Sequence, residues 1–226
     1  MFVLCPGIAL GDYNTPLNNN FSFEGDDFML YKTFNNLFGV GQVNSNNELL
    51  RKYGFKNEGP LQVTAPRFFA VSGMFQDNDG FVIMDSTSGK LLHTSDFPHI
   101  YPLTSAFRNF LNRPLEMRPG VDLANFSGGV EFIVTNYTGN GGQFFSNLMN
   151  NNNLVGSPSH MEPDHSNVNY FRYLDVTRLI QEAFGDLGFD YTDAWLIAYE
   201  DRACHNLAGS DLDYNDGVFL VFSNIS

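Results

Sequence analysis

The 226-residue sequence has few charged residues, and basic residues are especially scarce. Asp, Glu, Lys and Arg together make up 16% of the chain, whereas about a quarter is usual for a soluble domain. Lys and Arg number 12 against 25 for Asp and Glu, so the formal net charge is −13. Nucleic acids and anionic membrane surfaces are bound through basic side chains, so this balance argues against both as partners. Bound cations or cationic partners are compatible with it.

Cysteines and long apolar runs are also lacking. Cys5 and Cys204 are the two cysteines, so the chain is not a disulfide scaffold. No apolar run approaches the roughly 18–20 residues that span a bilayer, and we expect no membrane insertion. The first residues lack a basic segment and are interrupted by Pro6, so we do not expect a signal peptide. No segment has the length and composition of a linker, which predicts a single domain over residues 1–226.

Aromatic residues and short β-like runs are abundant. Phe occurs 23 times, and aromatics make up 15% of the chain. Asn-rich and Gly-rich turns separate the runs. This pattern predicts a mainly β fold, an antiparallel β-sandwich or jelly roll. The expected strands cover residues 67–71, 81–84, 130–134, 170–174, 194–199 and 218–222.

Two or three short peripheral helices are expected to pack against the sandwich. The best signal covers residues 176–184, with Asp175 as N-cap, Gly185 as the C-terminal stop, and an apolar face. That face contains Leu179, Ile180, Ala183 and Phe184. Residues 105–112 and 47–53 are the other candidates. The turn at residues 77–80 further predicts that the strands on either side of it form a hairpin.

The strongest candidate site is an acidic segment within residues 194–222. Two apolar strands flank a loop that carries nearly all the local charge. In extended backbone, Asp211, Asp213 and Asn215 would point to one side, and their oxygens suit a hard cation such as calcium. If the two strands form a hairpin, Glu200 and Asp201 meet this loop. Only Arg202 is close in sequence to offset the negative charge.

The spacing of these residues excludes two common metal sites. Counted from Asp211, the glycine position of an EF-hand is Asp216 and its last ligand position is Phe222, so the loop is not an EF-hand. An all-oxygen ligand set does not suit zinc. The remaining alternative to calcium is an Asp- and Asn-rich turn that caps its own backbone without metal.

The last 55 or so residues resemble an uncharacterised bacterial domain family. Its closing signature reads F-E-D, a variable loop, then D-x-D-Y-N-D-x-V-F, and it occurs in exported proteins and in large calcium-dependent adhesins. Here the signature reads Tyr199-Glu200-Asp201 and then residues 211–219, with Tyr199 in place of the usual Phe. The resemblance implies a calcium-bound β-sandwich used outside the cell. The residues that match as cation ligands or loop formers are Glu200, Asp201, Asp211, Asp213, Asn215 and Asp216.

Three further segments carry potential ligands or nucleophiles. Residues 77–80 together with Asp85 would suit a second calcium loop, but a tight turn explains them better. The segment 160–165 concentrates His and acidic residues, and a flexible loop is its simpler interpretation. Cys204 and His205 are adjacent, so in an extended loop their side chains point apart, which argues against a catalytic pair. We therefore expect no enzymatic activity.

Two functional hypotheses follow. The first is an extracellular recognition or adhesion module whose calcium-fixed loop contacts a glycan, a peptide or a cell surface. The alternative is a structural subunit on the outside of a particle, such as a phage capsid decoration or tail component of a virion, in contact with copies of itself. The aromatic, Asn-rich and Lys-poor composition suits broad contacts better than catalysis.

Overall fold

Two antiparallel sheets pack face to face, as the sequence predicts. The computed structural model describes residues 30–55, 60–73, 79–97, 115, 117–136, 142–145, 171–199 and 214–224. Sheet A contains, in spatial order, β1 (Gly54–Phe55), β8 (Phe171–Asp175), β9 (Asp193–Tyr199), β10 (Gly217–Ser223) and β3 (Arg67–Gly73). Sheet B contains β2 (Leu61–Thr64), β6 (Ser127–Asn136), β4 (Asp79–Asp85) and β5 (Leu91–Phe97), and β7 (Gly142–Phe145) also pairs with β6. The mainly β sandwich is therefore confirmed.

Aromatic rings fill the space between the two sheets. Alternate residues of each strand point to this interior, where Phe81 of sheet B stacks on Phe219 of sheet A with ring centroids 4.3 Å apart and planes 4° apart. Tyr199 stacks on Phe219 at 5.9 Å, and Phe132 on Phe81 at 5.9 Å. Buried aromatic pairs contribute about 0.5–1.5 kcal/mol each beyond the burial of their area. Five of the 23 Phe residues are buried in this interior: Phe68, Phe81, Phe132, Phe171 and Phe219.

Within the described part of the chain, three helices cover the other face of sheet A. They are α1 (Leu30–Phe38), α2 (Asn46–Tyr53) and α3 (Thr177–Phe184). The apolar residues of α1 recur at helical spacing, and Leu30, Phe34 and Leu37 are buried in the same cluster as the outward-facing residues Leu196 and Leu220 of sheet A. Sheet A is therefore the middle layer of three, buried on both faces, and its strands consist of nearly continuous apolar runs.

The predicted helices are confirmed in part. α3 matches the prediction for 176–184 and ends at Gly185, whose φ of +64° is the left-handed conformation that glycine adopts most easily. Asp175 accepts a hydrogen bond from the amide of Thr177 at 3.0 Å, but the N-cap position itself is Val176. Ala183 is exposed, contrary to the prediction, whereas Val176 and Ile180 are buried and Leu179 and Phe184 pack against the same apolar cluster.

Of the remaining helices, α2 was predicted and α1 was not. α2 confirms the prediction for residues 47–53 with one additional residue at its start. The candidate helix at 105–112 lies outside the described residues. The helix α1 was not among the predictions, although it contributes more buried residues than α3.

The predicted hairpin around residues 77–80 is wrong. Both strands exist, but β3 pairs with β10 in sheet A whereas β4 pairs with β5 and β6 in sheet B. The chain therefore crosses from one sheet to the other between β3 and β4. An Asp-Asn-Asp-Gly sequence predicts a turn, but its last two residues, Asp79 and Gly80, begin β4, and the choice of partner strand depends on which faces are buried.

The C-terminal end of β10 is tied to sheet B. Ser223 Oγ accepts a hydrogen bond from the amide of Thr64 at 2.9 Å, and the amide of Asn224 donates to the carbonyl of Thr64. These bonds join the last residues of β10 to the end of β2. Residues just before Gly217, which include two of the predicted cation ligands, therefore lie at the opposite end of the strand.

Gly217 is required by the close approach of an aromatic ring. A Cβ atom at Gly217 would overlap the ring of Tyr199, its cross-strand partner in β9. We expect Gly217→Ala to lower the free energy of unfolding by about 2–3 kcal/mol, because overpacking forces buried groups apart. Gly128→Ala is the matched control, since its Cβ would meet only Phe126, at an ordinary 3.7 Å. Urea unfolding of both variants tests this, and equal losses of stability would contradict it.

Candidate functional site at one end of sheet A

The pairing of β9 with β10 brings both ends of the acidic segment to one place. Tyr199, the last residue of β9, lies opposite Gly217, the first residue of β10. The connection between them, residues 200–213 and the described residues 214–216, therefore leaves and re-enters sheet A at the same end. β9 and β10 therefore pair as the hairpin that a shared site for both ends of the segment requires.

Two of the six predicted ligands lie in the described part of the chain. Asn215 is 4% exposed and Asp216 is 7% exposed, so both are buried immediately before β10. The other four, Glu200, Asp201, Asp211 and Asp213, lie outside the described residues. A buried carboxylate stays ionised only where charge or hydrogen bonds stabilise it. The buried carboxylate of Asp216 therefore requires such stabilisation at this end of the sheet.

Tyr214 interrupts the extended backbone that was expected to place Asp213 and Asn215 on one side of the chain. This residue has φ of +58°, in the left-handed region, so the backbone is not extended between residues 213 and 215. Side chains of Asp213 and Asn215 therefore need not share a side as they would in a strand. Tyr214 is itself buried, with 1% of its surface exposed, and it packs among the apolar residues between sheet A and the helices.

A basic residue that the sequence analysis did not consider lies beside Tyr214. Arg172 of β8 is 7% exposed, and its guanidinium carbon is 4.6 Å from the centroid of the Tyr214 ring. Its cross-strand partner is Ala198, which in turn pairs with Val218. Ala198 and Val218 both face the helices, so Arg172 lies on that face too. The acidic segment thus adjoins a buried positive charge from a strand about 40 residues earlier in the sequence.

Contact with the Tyr214 ring alone does not offset the free-energy cost of burying the Arg172 guanidinium. A cation over an aromatic ring contributes about 0.5–2 kcal/mol. The effective penalty for removing an ion from water is several kcal/mol, and it is offset only by good pairing. Among the described residues, none forms a hydrogen bond with the buried Nε of Arg172. This end of sheet A therefore contains a buried cation, Arg172, as well as the buried carboxylate of Asp216.

The alternative of a second calcium loop at residues 77–80 and Asp85 is excluded by the extent of β4. Asp79 and Asp85 are the first and last residues of this strand, so they are separated by about 20 Å at 3.4 Å per residue and cannot share an ion. Asp85 instead organises a turn, in which its carboxylate accepts hydrogen bonds from the amide of Thr87 at 2.9 Å and the hydroxyl of Ser88 at 2.8 Å. This turn follows β4 and is not the tight turn predicted at residues 77–80, where Asp79 and Gly80 instead begin the strand.

The remaining candidates fall outside the described residues. They are the segment 160–165, Cys5, Cys204 and His205. Among the residues that the structure does describe, no three His, Cys, Asp or Glu side chains come together as a metal-binding group. The described helices also include none that is long and apolar enough to cross a bilayer.

Comparison of the chain with protein-family models, with curated proteins and with solved structures found no match.

The turn at Asp85 makes a testable prediction about pH and calcium. Its hydrogen bonds, chiefly from the amide of Thr87 and the hydroxyl of Ser88, hold the pKa of the Asp85 carboxyl below its usual value. A lowered pKa in the folded state means that this contribution to stability is present above the unfolded-state pKa and is lost as the pH falls through the folded-state pKa. We expect an NMR titration to show this low pKa, unchanged by calcium. A calcium-dependent shift would restore a second ion site.

Proposed function

We propose that this protein is a non-enzymatic recognition or adhesion module that acts outside the cell, with calcium fixing the acidic connection between β9 and β10. The proposed ligands are those given by the resemblance to the adhesin-associated family: Glu200, Asp201, Asp211, Asp213, Asn215 and Asp216. The observation that carries the proposal is the register of β9 with β10, which makes a single end of sheet A the start and the finish of the acidic segment.

Three features of the chain support this proposal. Asn215 and Asp216 are buried at that end, where oxygen ligands would be held by the sheet and would lose little conformational freedom on binding an ion. The formal net charge of −13 favours cation binding generally. A loop fixed at the end of a rigid sandwich is also the usual arrangement for recognition by β-sandwich domains.

Calcium binding is tested by thermal unfolding. A ligand that binds only the folded state stabilises it by linkage, by about 2.7 kcal/mol at 100 times its Kd, which is about 5–10 °C in Tm for a chain of this size. We therefore expect calcium to raise Tm by about that amount relative to EGTA, and magnesium to raise it less. Identical melting curves in calcium and in EGTA would contradict the proposed metal site.

Variants locate the ion within the chain. Asp213→Asn should abolish most of the calcium-dependent rise in Tm, because it removes a charged ligand. Asp79→Asn is the matched control, since Asp79 begins β4 in sheet B, and it should leave the rise unchanged. The opposite result would move the ion to the first strands of sheet B.

Recognition is tested separately with immobilised glycans. We expect fluorescently labelled protein to bind a subset of a glycan array in calcium and to lose that binding in EGTA. The Asp213→Asn variant should fail to bind in calcium. An absence of binding, together with a stable oligomer in light scattering, would instead favour the structural subunit of a particle. A crystal structure of that oligomer should then show symmetric contacts that bury well over about 1,000 Å² per pair.

A further inference from the structure

We propose that two copies of this protein associate through their layers of helices, with the α1–α2 loop of each copy docked on the α3–β9 connection of the other. Val40, at the tip of the α1–α2 loop, is the one large apolar residue of the described chain that is exposed, and 95% of its surface is accessible. The contact uses neither calcium nor the acidic connection between β9 and β10. It is therefore independent of the function proposed above.

Hydrogen bonds and two glycines hold the α1–α2 loop in one conformation. Asn35 bridges to the far side of the loop, since its Nδ2 donates to the carbonyl of Val43 at 2.8 Å and its Oδ1 accepts from the amide of Val43 at 3.2 Å. Gly39 and Gly41, on either side of Val40, have φ of +106° and +88°, which glycine adopts most easily. The loop is therefore ordered before it docks, which lowers the entropic cost of association.

Positive charge borders the exposed valine. Lys52 of α2 donates a hydrogen bond from Nζ to the carbonyl of Gln42 at 3.5 Å, two residues after Val40. Arg51 precedes Lys52, and both residues are exposed. A surface that fits this loop must therefore combine apolar contact with carboxylates, because complementary charge selects the partner of an interface.

The α3–β9 connection of the same protein has this complementary chemistry. Residues 186–192 alternate between exposed and half-buried positions, and residues 185–193 contain no Lys or Arg. The half-buried side chains pack on the apolar cluster between sheet A and the helices and leave part of their surface accessible. These residues are Leu187, Phe189 and Tyr191. The exposed carboxylates beside them are Asp186, Asp190 and Asp193.

The two surfaces begin at neighbouring points of the helical layer. Phe38 ends α1 and Phe184 ends α3, and the centroids of their rings are 6.4 Å apart. The α1–α2 loop follows Phe38 directly, and the α3–β9 connection follows Phe184. Val40 does not bury itself on the connection of its own copy, since it is 95% exposed. A two-fold axis near this point lets each loop reach the other copy's connection, so the contact is made twice and closes into a dimer.

Sedimentation velocity in EGTA tests the proposal without any contribution from calcium. We expect the wild type to form a reversible dimer as its concentration rises. Val40→Asp should raise the Kd of the dimer by about tenfold or more, because it replaces a buried apolar contact with a carboxylate against an acidic surface. Thr87→Asp is the matched control. Thr87 is close to valine in shape and is exposed in the turn after β4 of sheet B, so this variant should leave the Kd unchanged.

Reversed charges identify the two docking surfaces. Lys52→Glu and Asp190→Lys should each weaken the dimer, because each variant places like charges together at both contacts. An equimolar mixture of the two variants should dimerise more tightly than either variant alone. In the mixed dimer, one contact pairs the two reversed residues and the other pairs the two unchanged ones, so both contacts are attractive.

Several results would overturn the proposal. They are a wild type that remains monomeric at high micromolar concentration, a dimer that Val40→Asp leaves unchanged, and a mixture of the charge variants no tighter than either alone. Growth beyond a dimer would overturn the two-fold arrangement. Should Val40→Asp lower Tm, Val40→Ser takes its place, since it removes apolar surface without adding charge, and an unchanged Kd in that variant would count equally against the proposal.

Discussion

The burial of β10 on both faces is the constraint on which the rest of the structure depends. All seven of its residues are buried, with Phe219 and Val221 facing sheet B and Val218, Leu220 and Phe222 facing the helices. It pairs with β9 on one side and β3 on the other. One strand therefore belongs to both apolar cores, and its two ends fix the position of everything attached to them.

This constraint explains which parts of the fold could be predicted. Strands β9 and β10 contain continuous apolar runs, and β8 is apolar apart from Arg172 and its last residue Asp175; each strand was placed to within about one residue. Pairing was harder to predict, because a turn sequence such as residues 77–80 does not encode the sheet that receives the next strand. The apolar residues of helix α1 recur at helical spacing, but the helix was not predicted. The β-like runs and Asn-rich turns of the sequence favoured strands and loops instead.

Only the part of the candidate site that is contiguous in sequence could be predicted. The acidic segment and the burial-prone strands around it are contiguous, so their common end of the sheet was foreseeable. The left-handed conformation of Tyr214 was not, because it is a non-glycine residue with φ of +58° that tertiary packing holds in place. Arg172 could not be found by inspecting neighbours in sequence, since the order of β8, β9 and β10 in sheet A is what brings it there.

The presence of Arg172 changes the electrostatic argument for a metal ion. A guanidinium remains charged at every physiological pH, so one permanent positive charge is built into the end of sheet A, and Arg202 adds another within the acidic segment. The carboxylates among the proposed ligands outnumber these two cations. They are Glu200, Asp201, Asp211, Asp213 and Asp216. If calcium binds as proposed, it offsets only the carboxylates in excess of these two cations.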